Sequence, residues 1–331
     1  MRILAGDIGG TKTLLQLVEI GAQTRTVLLE RRYESGAYPT FEGLVREFVS
    51  LDPSPVNAAC FAVAGPVIDR HSEITNLDWN IEADDLQAMF SIPRIVLTND
   101  FSAVAVGVPL LGPEDVTSLN PGERNLNMPI GILGAGTGLG ESVLIPEPPI
   151  WRVIPSEGGH ADFAPVGKTQ IGILNHLTER YGRVSYERLL SGPGLVNIFT
   201  YLRDHEFTGE TGARDLTSDD ETLPAELSRL ASAGDPLAKR TFEVFVEVYG
   251  AEAGNLALRL LARGGIYIAG GVAAKNAQHF TDGRFMEAFL AKGRFRDFME
   301  LVPVDLITNP KVGLMGAVEL AVRAAMAETV V

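Results

Sequence analysis

Two glycine turns, each set between runs of β-prone residues, constrain this chain more than any other feature. The first, Gly6-Asp7-Ile8-Gly9-Gly10-Thr11, separates the runs 2–8 and 13–20, and a third run follows at 26–33. The second is Gly134-Ala135-Gly136-Thr137-Gly138-Leu139-Gly140, between 129–133 and 141–145, with a third run at 150–154. Aliphatic and β-branched runs broken by turns at this spacing predict an antiparallel meander of three strands. The same order occurs twice, although the letters do not repeat.

Each meander leads into helices and buried strands. In the first half, helical periods occupy 41–51, 84–90 and 101–111, and buried strands are predicted at 58–64 and 94–98. In the second, helices are expected at 170–181, 193–204, 236–262 and 284–291, with a strand at 265–269. Residues 112–128 are rich in Gly, Pro, Asn and Ser, and read as a linker between the halves. A strand at 304–307 and a helix at 313–328 suit either half, and the helix is expected to pack back on the first. Two such halves facing each other would bring both glycine turns to one cleft.

Length and charge narrow the partners. With 331 residues, two domains are expected. The formal charge of −14 argues against broad nucleic-acid binding, which needs a basic surface. It leaves room for a phosphate held by backbone N–H groups, and glycine is abundant at 35 residues. One cysteine, Cys60 in an apolar run, excludes a disulfide framework and any zinc site built on three or four cysteines. No apolar run reaches the ~18–20 residues that span a bilayer, and the first residues do not resemble a signal peptide. A cytoplasmic protein without a membrane partner is expected.

The turns carry the chemistry. Gly9 and Gly10 permit close backbone approach, successive N–H groups in such a turn face an anion, and Thr11 adds a hydroxyl. Asp7, ending the first strand, is placed to face Mg²⁺ or its waters, a hard cation that prefers oxygen. An ordinary hairpin would look much the same. The second cluster is neither a dinucleotide fingerprint, which requires G-x-G-x-x-G opening a helix, nor a phosphate-binding loop ending in Lys-Ser/Thr. Two such turns suggest a phosphate tail gripped from both sides. In Asn99-Asp100, the aspartate stands where a buried strand becomes a helix. It would either cap that helix or act as a general base, with Asn99 orienting a substrate hydroxyl. Glu157-Gly158-Gly159-His160 would let a carboxylate and an imidazole point into one cavity, though a lone histidine is often structural. Glu187 reads by itself as a solvated helix residue. At Ile268-Ala269-Gly270-Gly271 a strand ends in small residues where an adenine ring could pack.

Together these motifs resemble the bacterial glucokinase family, within the hexokinase/actin-like superfamily of sugar kinases. Further landmarks are Thr75-Asn76-Leu77-Asp78-Trp79 and Leu190-Ser191-Gly192-Pro193-Gly194-Leu195. The resemblance implies an α/β chain with the two-lobed actin/hexokinase-like (ribonuclease H-like) fold. Each lobe would be a mixed sheet flanked by helices, with a cleft between them. It divides the chain into 1–110 plus 301–331 and 111–300. It implies ATP-dependent phosphorylation of the glucose 6-hydroxyl, with Asp100 as base and Asn99, Glu157, His160 and Glu187 on the sugar hydroxyls. ATP phosphates would meet Gly6, Asp7, Ile8, Gly9, Gly10 and Thr11 on one side and Gly136, Thr137 and Gly138 on the other, with Gly270 and Gly271 near the nucleotide. Mg²⁺ would sit by Asp7 through water. Relatives with a structural zinc carry a cysteine-rich motif after the histidine; here Ala161-Asp162-Phe163-Ala164-Pro165 stands there, so no structural zinc is expected. The chain opens on a strand, so a DNA-binding segment is not expected, and a homodimer is. A kinase for another hexose or an amino sugar is an alternative, as is a non-catalytic sugar sensor on the same fold.

Overall fold

The computed structural model describes residues 1–331 apart from 23, 75, 76, 149, 218–221 and 328–331. The Thr75-Asn76 landmark and the expected last residue of the final helix, Glu328, therefore lie outside the described residues. The chain forms two compact units, Met1–Gly112 with Lys311–Val331, and Pro113–Pro310.

The first unit is built on a five-stranded sheet. Its strands are β1 (Arg2–Ile8), β2 (Lys12–Ile20), β3 (Arg25–Glu34), β4 (Ala58–Val63) and, after the two-stranded β5 (His71–Ile74) and β6 (Trp79–Glu82), β7 (Ile95–Asn99). The order is β3-β2-β1-β4-β7, with β1, β2 and β3 antiparallel and β4 and β7 parallel to β1. All six residues of β4 are buried, as a central strand covered on both faces requires. One face packs under the helices Phe41–Ser50 and Ala83–Phe90, with Phe41, Leu44, Phe48 and Leu86 facing Leu4, Phe61 and Trp79. The other packs under the final helix Val312–Met326, whose Leu314, Ala317 and Ala321 meet Ile3, Ala5 and Cys60. That helix crosses the helix Asp100–Gly107 closely, because Gly316 leaves no room for a Cβ against the Ala103 carbonyl, nor Gly107 against that of Val312.

The second unit repeats the order. Its strands are β8 (Val116–Asn120), β9 (Ile130–Ala135), β10 (Leu139–Glu147), β11 (Ile150–Ser156), β12 (Gly265–Ala269) and β13 (Val304–Ile307). They run β11-β10-β9-β12-β13-β8, with β9 to β11 antiparallel, β12 and β13 parallel to β9, and β8 antiparallel to β13. Helices fill the long passage from β11 to β12. The longest, Pro236–Leu260, starts on Asp235, whose side chain accepts from the N–H of Leu237 and Ala238. Its Gly250 and Gly254 let the helix Arg284–Leu290 approach, since a Cβ on either would strike the carbonyl of Phe285 or Phe289.

Three expectations need correction. The unit boundary falls at 310/311 rather than 300/301, because β13 completes the second sheet between β12 and β8. The proposed linker 112–128 contains β8, a short polar edge strand whose partner lies nearly two hundred residues away, beyond local patterning. The strands β5 and β6 and the helix Leu223–Ala233 were absent from the expected elements.

Candidate active site

In the first unit the site grows out of strand ends. The register runs Asp7, Ala62 and Thr98 across β1, β4 and β7, with Ile8, Val63 and Asn99 one step on. Asp7 and Asn99-Asp100 thus lie at the carboxyl ends of β1 and β7, the parallel strands on either side of β4, where open α/β sheets bind ligands. Both aspartates are half-buried. Burial, and then the nearby Asp100 charge, push the Asp7 carboxyl up to about 6. Burial raises Asp100 as well, opposed by hydrogen bonds from backbone N–H groups and Asn99. Two carboxylates that repel one another fit a divalent cation held through water, since Mg²⁺ takes one or two carboxylates beside its phosphates. No cluster of three or more His, Cys, Asp or Glu able to cage a metal occurs among the described residues.

The cap belongs to Asn99, not Asp100. Asn99 Oδ1 accepts from the N–H of Phe101 at 2.9 Å and Ser102 at 3.3 Å. Its Nδ2 donates to the Gly65 carbonyl at 3.1 Å. The Asn99 amide also hydrogen-bonds the Asp100 carboxyl, which opposes the effect of burial there. Asp100 is the first helical residue, and its Oδ1 accepts from the Phe101 N–H at 2.8 Å. One Asp100 oxygen thus shares the Phe101 N–H with the Asn99 cap.

The β1–β2 turn closes with Gly9 N–H donating to the Lys12 carbonyl at 3.0 Å. Thr11 is exposed, and Gly9 and Gly10 are half-buried. Gly6 and Ile8 lie behind the turn. Ile8 is fully buried, and a Cβ on Gly6 would come within 2.9 Å of Leu15, Phe61 and Ile8. Their part is packing.

In the second unit Gly136 N–H donates to the Gly138 carbonyl at 2.8 Å, which folds Gly136-Thr137-Gly138 into a tight turn. A Cβ on Gly136 would meet nothing within 4 Å, whereas one on Gly138 would lie 2.5 Å from Glu187 Oε2. That oxygen accepts from Leu139 N–H at 3.0 Å, so Glu187 is no solvated helix residue. Its Oε1 lies 3.8 Å from His160 Nδ1, and Glu157 Oε2 lies 3.8 Å from His160 Nε2. The structure thus brings Glu157, His160 and Glu187 together, with the imidazole between the carboxylates. The intervening glycines are sterically required: a side chain at Gly158 would strike the Glu141 carboxyl, and one at Gly159 the Leu139 carbonyl. Gly270, at φ 90, packs against the Ala135 backbone with no room for a Cβ, while Gly271 is open. Strand packing alone explains Gly270.

Sequence reading passed over several residues. Ser191 caps the helix Gly192–Tyr201 and donates to the Glu187 carbonyl at 2.8 Å; its place in Leu190–Leu195 was a signal. Glu141 is buried under the Gly158 turn, with Oε1 lacking a partner among the described residues. Burial, then the Glu252 charge, raise it to about 7 against the pull of Arg259.

The family model Glucokinase matches residues 4–324. The chain is 41% identical to the glucokinase of Nostoc punctiforme over 97% of this chain and 99% of that one. It is 42% identical to the glucokinase of Synechocystis over 96% and 97%. A crystal structure of glucokinase from an Antarctic psychrotroph superposes with a TM-score of 0.85 at 28% identity, covering 97% of this chain and 99% of that one. A ROK family glucokinase from Streptomyces griseus, solved with glucose and AMPPNP, is similar in fold at a TM-score of 0.65 and 23% identity, over 98% and 100%. Strand order, motifs and these similarities agree: the chain belongs to the glucokinase family.

Proposed function

We propose that this chain transfers the γ-phosphoryl group of ATP to the 6-hydroxyl of glucose, with Asp100 as the base. The observation that supports the assignment is the placement of Asp7 and Asp100 at the ends of β1 and β7, on either side of β4, half-buried and with raised affinity for protons. In a loose phosphoryl-transfer transition state a base positions the hydroxyl and takes its proton late. One Asp100 oxygen is tied to Phe101 N–H, which restrains the carboxylate, and the other is the oxygen assigned to the hydroxyl proton. Raised proton affinity brings such a base closer to working pH.

Glu157, His160 and Glu187 pair the remaining sugar hydroxyls, and the Asn99 side chain is assigned to the sugar as well. A neutral polyol needs several convergent donors and acceptors, and a missing hydroxyl leaves one of them unpaired. The turns Gly9-Gly10-Thr11 and Gly136-Thr137-Gly138 offer backbone N–H groups and hydroxyls to the ATP phosphates. Mg²⁺ bound with ATP would supply positive charge to the phosphate oxygens, and Asp7 is the residue that would hold it through water. The protein would work in the cytoplasm as a homodimer, which light scattering of the purified chain tests. Among the described residues no helix is long and apolar enough to cross a membrane.

The deciding experiment assays purified protein with ATP and Mg²⁺ against glucose, other hexoses and amino sugars, coupled to sugar 6-phosphate detection. Glucose is expected to give the highest kcat/KM. A preference for another sugar would reassign the substrate, and no phosphorylation of any would refute the kinase reading.

A further inference from the structure

Two hydroxyls behind the β1–β2 turn have no part in the chemistry above. Thr13 and Ser35 are both fully buried, and their oxygens lie 3.0 Å apart. Ser35 Oγ also donates to the Gly9 carbonyl at 2.8 Å. A serine hydroxyl has one proton, and Ser35 gives it to that carbonyl, so Thr13 must be the donor of the pair. The bonds therefore run one way, from Thr13 to Ser35 to Gly9. Ser35 grips the turn a second time, its N–H donating to the Thr11 carbonyl at 2.9 Å.

In a trans peptide the C=O and the following N–H point in opposite directions. With the Gly9 carbonyl turned toward Ser35, the Gly10 N–H points away from it. The Thr11 carbonyl is likewise engaged, by the Ser35 N–H, and is kept from facing a ligand. Gly10 N–H has no protein acceptor among the described residues, and the next residue, Thr11, is exposed. The two carbonyl oxygens, which would repel a phosphate, are drawn back.

We propose that Ser35, itself held by Thr13, is a positioning residue that turns the N–H group of Gly10 toward a nucleotide phosphate. The proposal rests on the reading of this turn as a phosphate site. It requires no new ligand and no contact between Ser35 and ATP.

The test measures AMPPNP-Mg²⁺ and glucose binding separately by calorimetry, together with thermal unfolding. Losing one net hydrogen bond to a pre-set turn corresponds to roughly a 5- to 10-fold change. Ser35→Ala is expected to weaken AMPPNP by about that factor while glucose affinity stays within about twofold. Thr13→Val removes the donor behind Ser35 without touching the turn and is expected to weaken AMPPNP by roughly 2- to 5-fold. Thr13→Ser keeps the hydroxyl and restores affinity. Unchanged AMPPNP binding in Ser35→Ala overturns the proposal, as does an equal loss of both ligands, the sign of general loosening. Should Ser35→Ala not fold, Thr13→Val decides, and wild-type nucleotide affinity there is the overturning result. Gly10→Ala separates the two levels. If it weakens AMPPNP and Ser35→Ala does not, only the role of Ser35 fails. If neither does, the phosphate reading of the turn fails.

Discussion

In the first unit the candidate carboxylates stand at the ends of β1 and β7, strands of the repeated sheet itself. In the second, Glu157, His160 and Glu187 come from the helical passage between β11 and β12, and they lean on the sheet through Leu139 N–H and the Gly158-Gly159 turn. One strand order thus serves two purposes. The first sheet supplies reactive groups directly, on a frame covered by helices on both faces. The second supplies a turn and a support, and leaves the sugar-directed groups to an insertion. Groups on strand ends are fixed by ladder register, whereas groups on an insertion depend on a few local bonds.

The largest expected effect tests the first side of that contrast. Asp100→Ala should lower kcat by roughly 10²–10⁴-fold, the range for loss of a general base, with glucose affinity largely kept. Steady-state kinetics and calorimetry check it, and near-normal turnover would remove Asp100 from the role. Next, Glu187→Ala should raise the KM for glucose by about 10- to 100-fold, as loss of hydrogen bonds to a charged group implies. It should also weaken AMPPNP, because the same carboxylate holds the start of β10. Glu157→Ala, exposed and bound to no backbone group, should raise KM for glucose by about tenfold at most and spare the nucleotide. If the two variants behave alike, Glu187 does not couple the turn to the sugar.

Proton affinity sharpens the comparison further. With the folded Asp7 carboxyl near 6 against an ordinary 3.8, the folded chain holds that proton more tightly. This term favours folding below pH 3.8 and fades as pH rises through 6. Nucleotide binding that uses the Asp7 anion should correspondingly weaken as pH falls below about 6. Asp100→Asn removes a like charge, so Asp7 should then titrate lower, which carboxyl ¹³C NMR reads directly. An unmoved titration would mean that the two carboxylates are not neighbours in effect.

The smallest change in function, though not in stability, concerns Glu141. Its carboxyl is raised from 4.5 to about 7, so its contribution to stability is greatest below pH 4.5 and is lost as pH rises through 7. Glu141→Gln should stabilise the protein at pH 8 relative to pH 5 by roughly 3 kcal/mol at most. Denaturant unfolding at the two pH values checks it, and parallel pH profiles for wild type and variant would count against the buried acid.

Periodicity made most of the elements legible. The meanders, the buried strands β4, β7 and β12, and the helices Phe41–Ser50 and Pro236–Leu260 follow from residues whose apolar spacing is set within a short window. The strand β8 was hidden, because its polar residues become a strand only when β13 arrives to pair with them. The two-stranded β5 and β6 were too short and mixed for a pattern to show. In the same way Asp100 stood out as a carboxylate between strand and helix, but its neighbour took the cap.

What the sequence determined alone was the twofold order of strands, the glycine turns and the short list of polar residues that could do chemistry. These depend on local properties: backbone freedom, alternation and side-chain type. Tertiary structure decided which of those residues share an environment. The Asp7–Asp100 repulsion, the His160 imidazole between Glu157 and Glu187, and the Thr13–Ser35–Gly9 relay each join segments distant in sequence or separated by a turn. A hydrogen bond or a Coulomb term depends on distances of a few ångströms, and only the packed chain sets those.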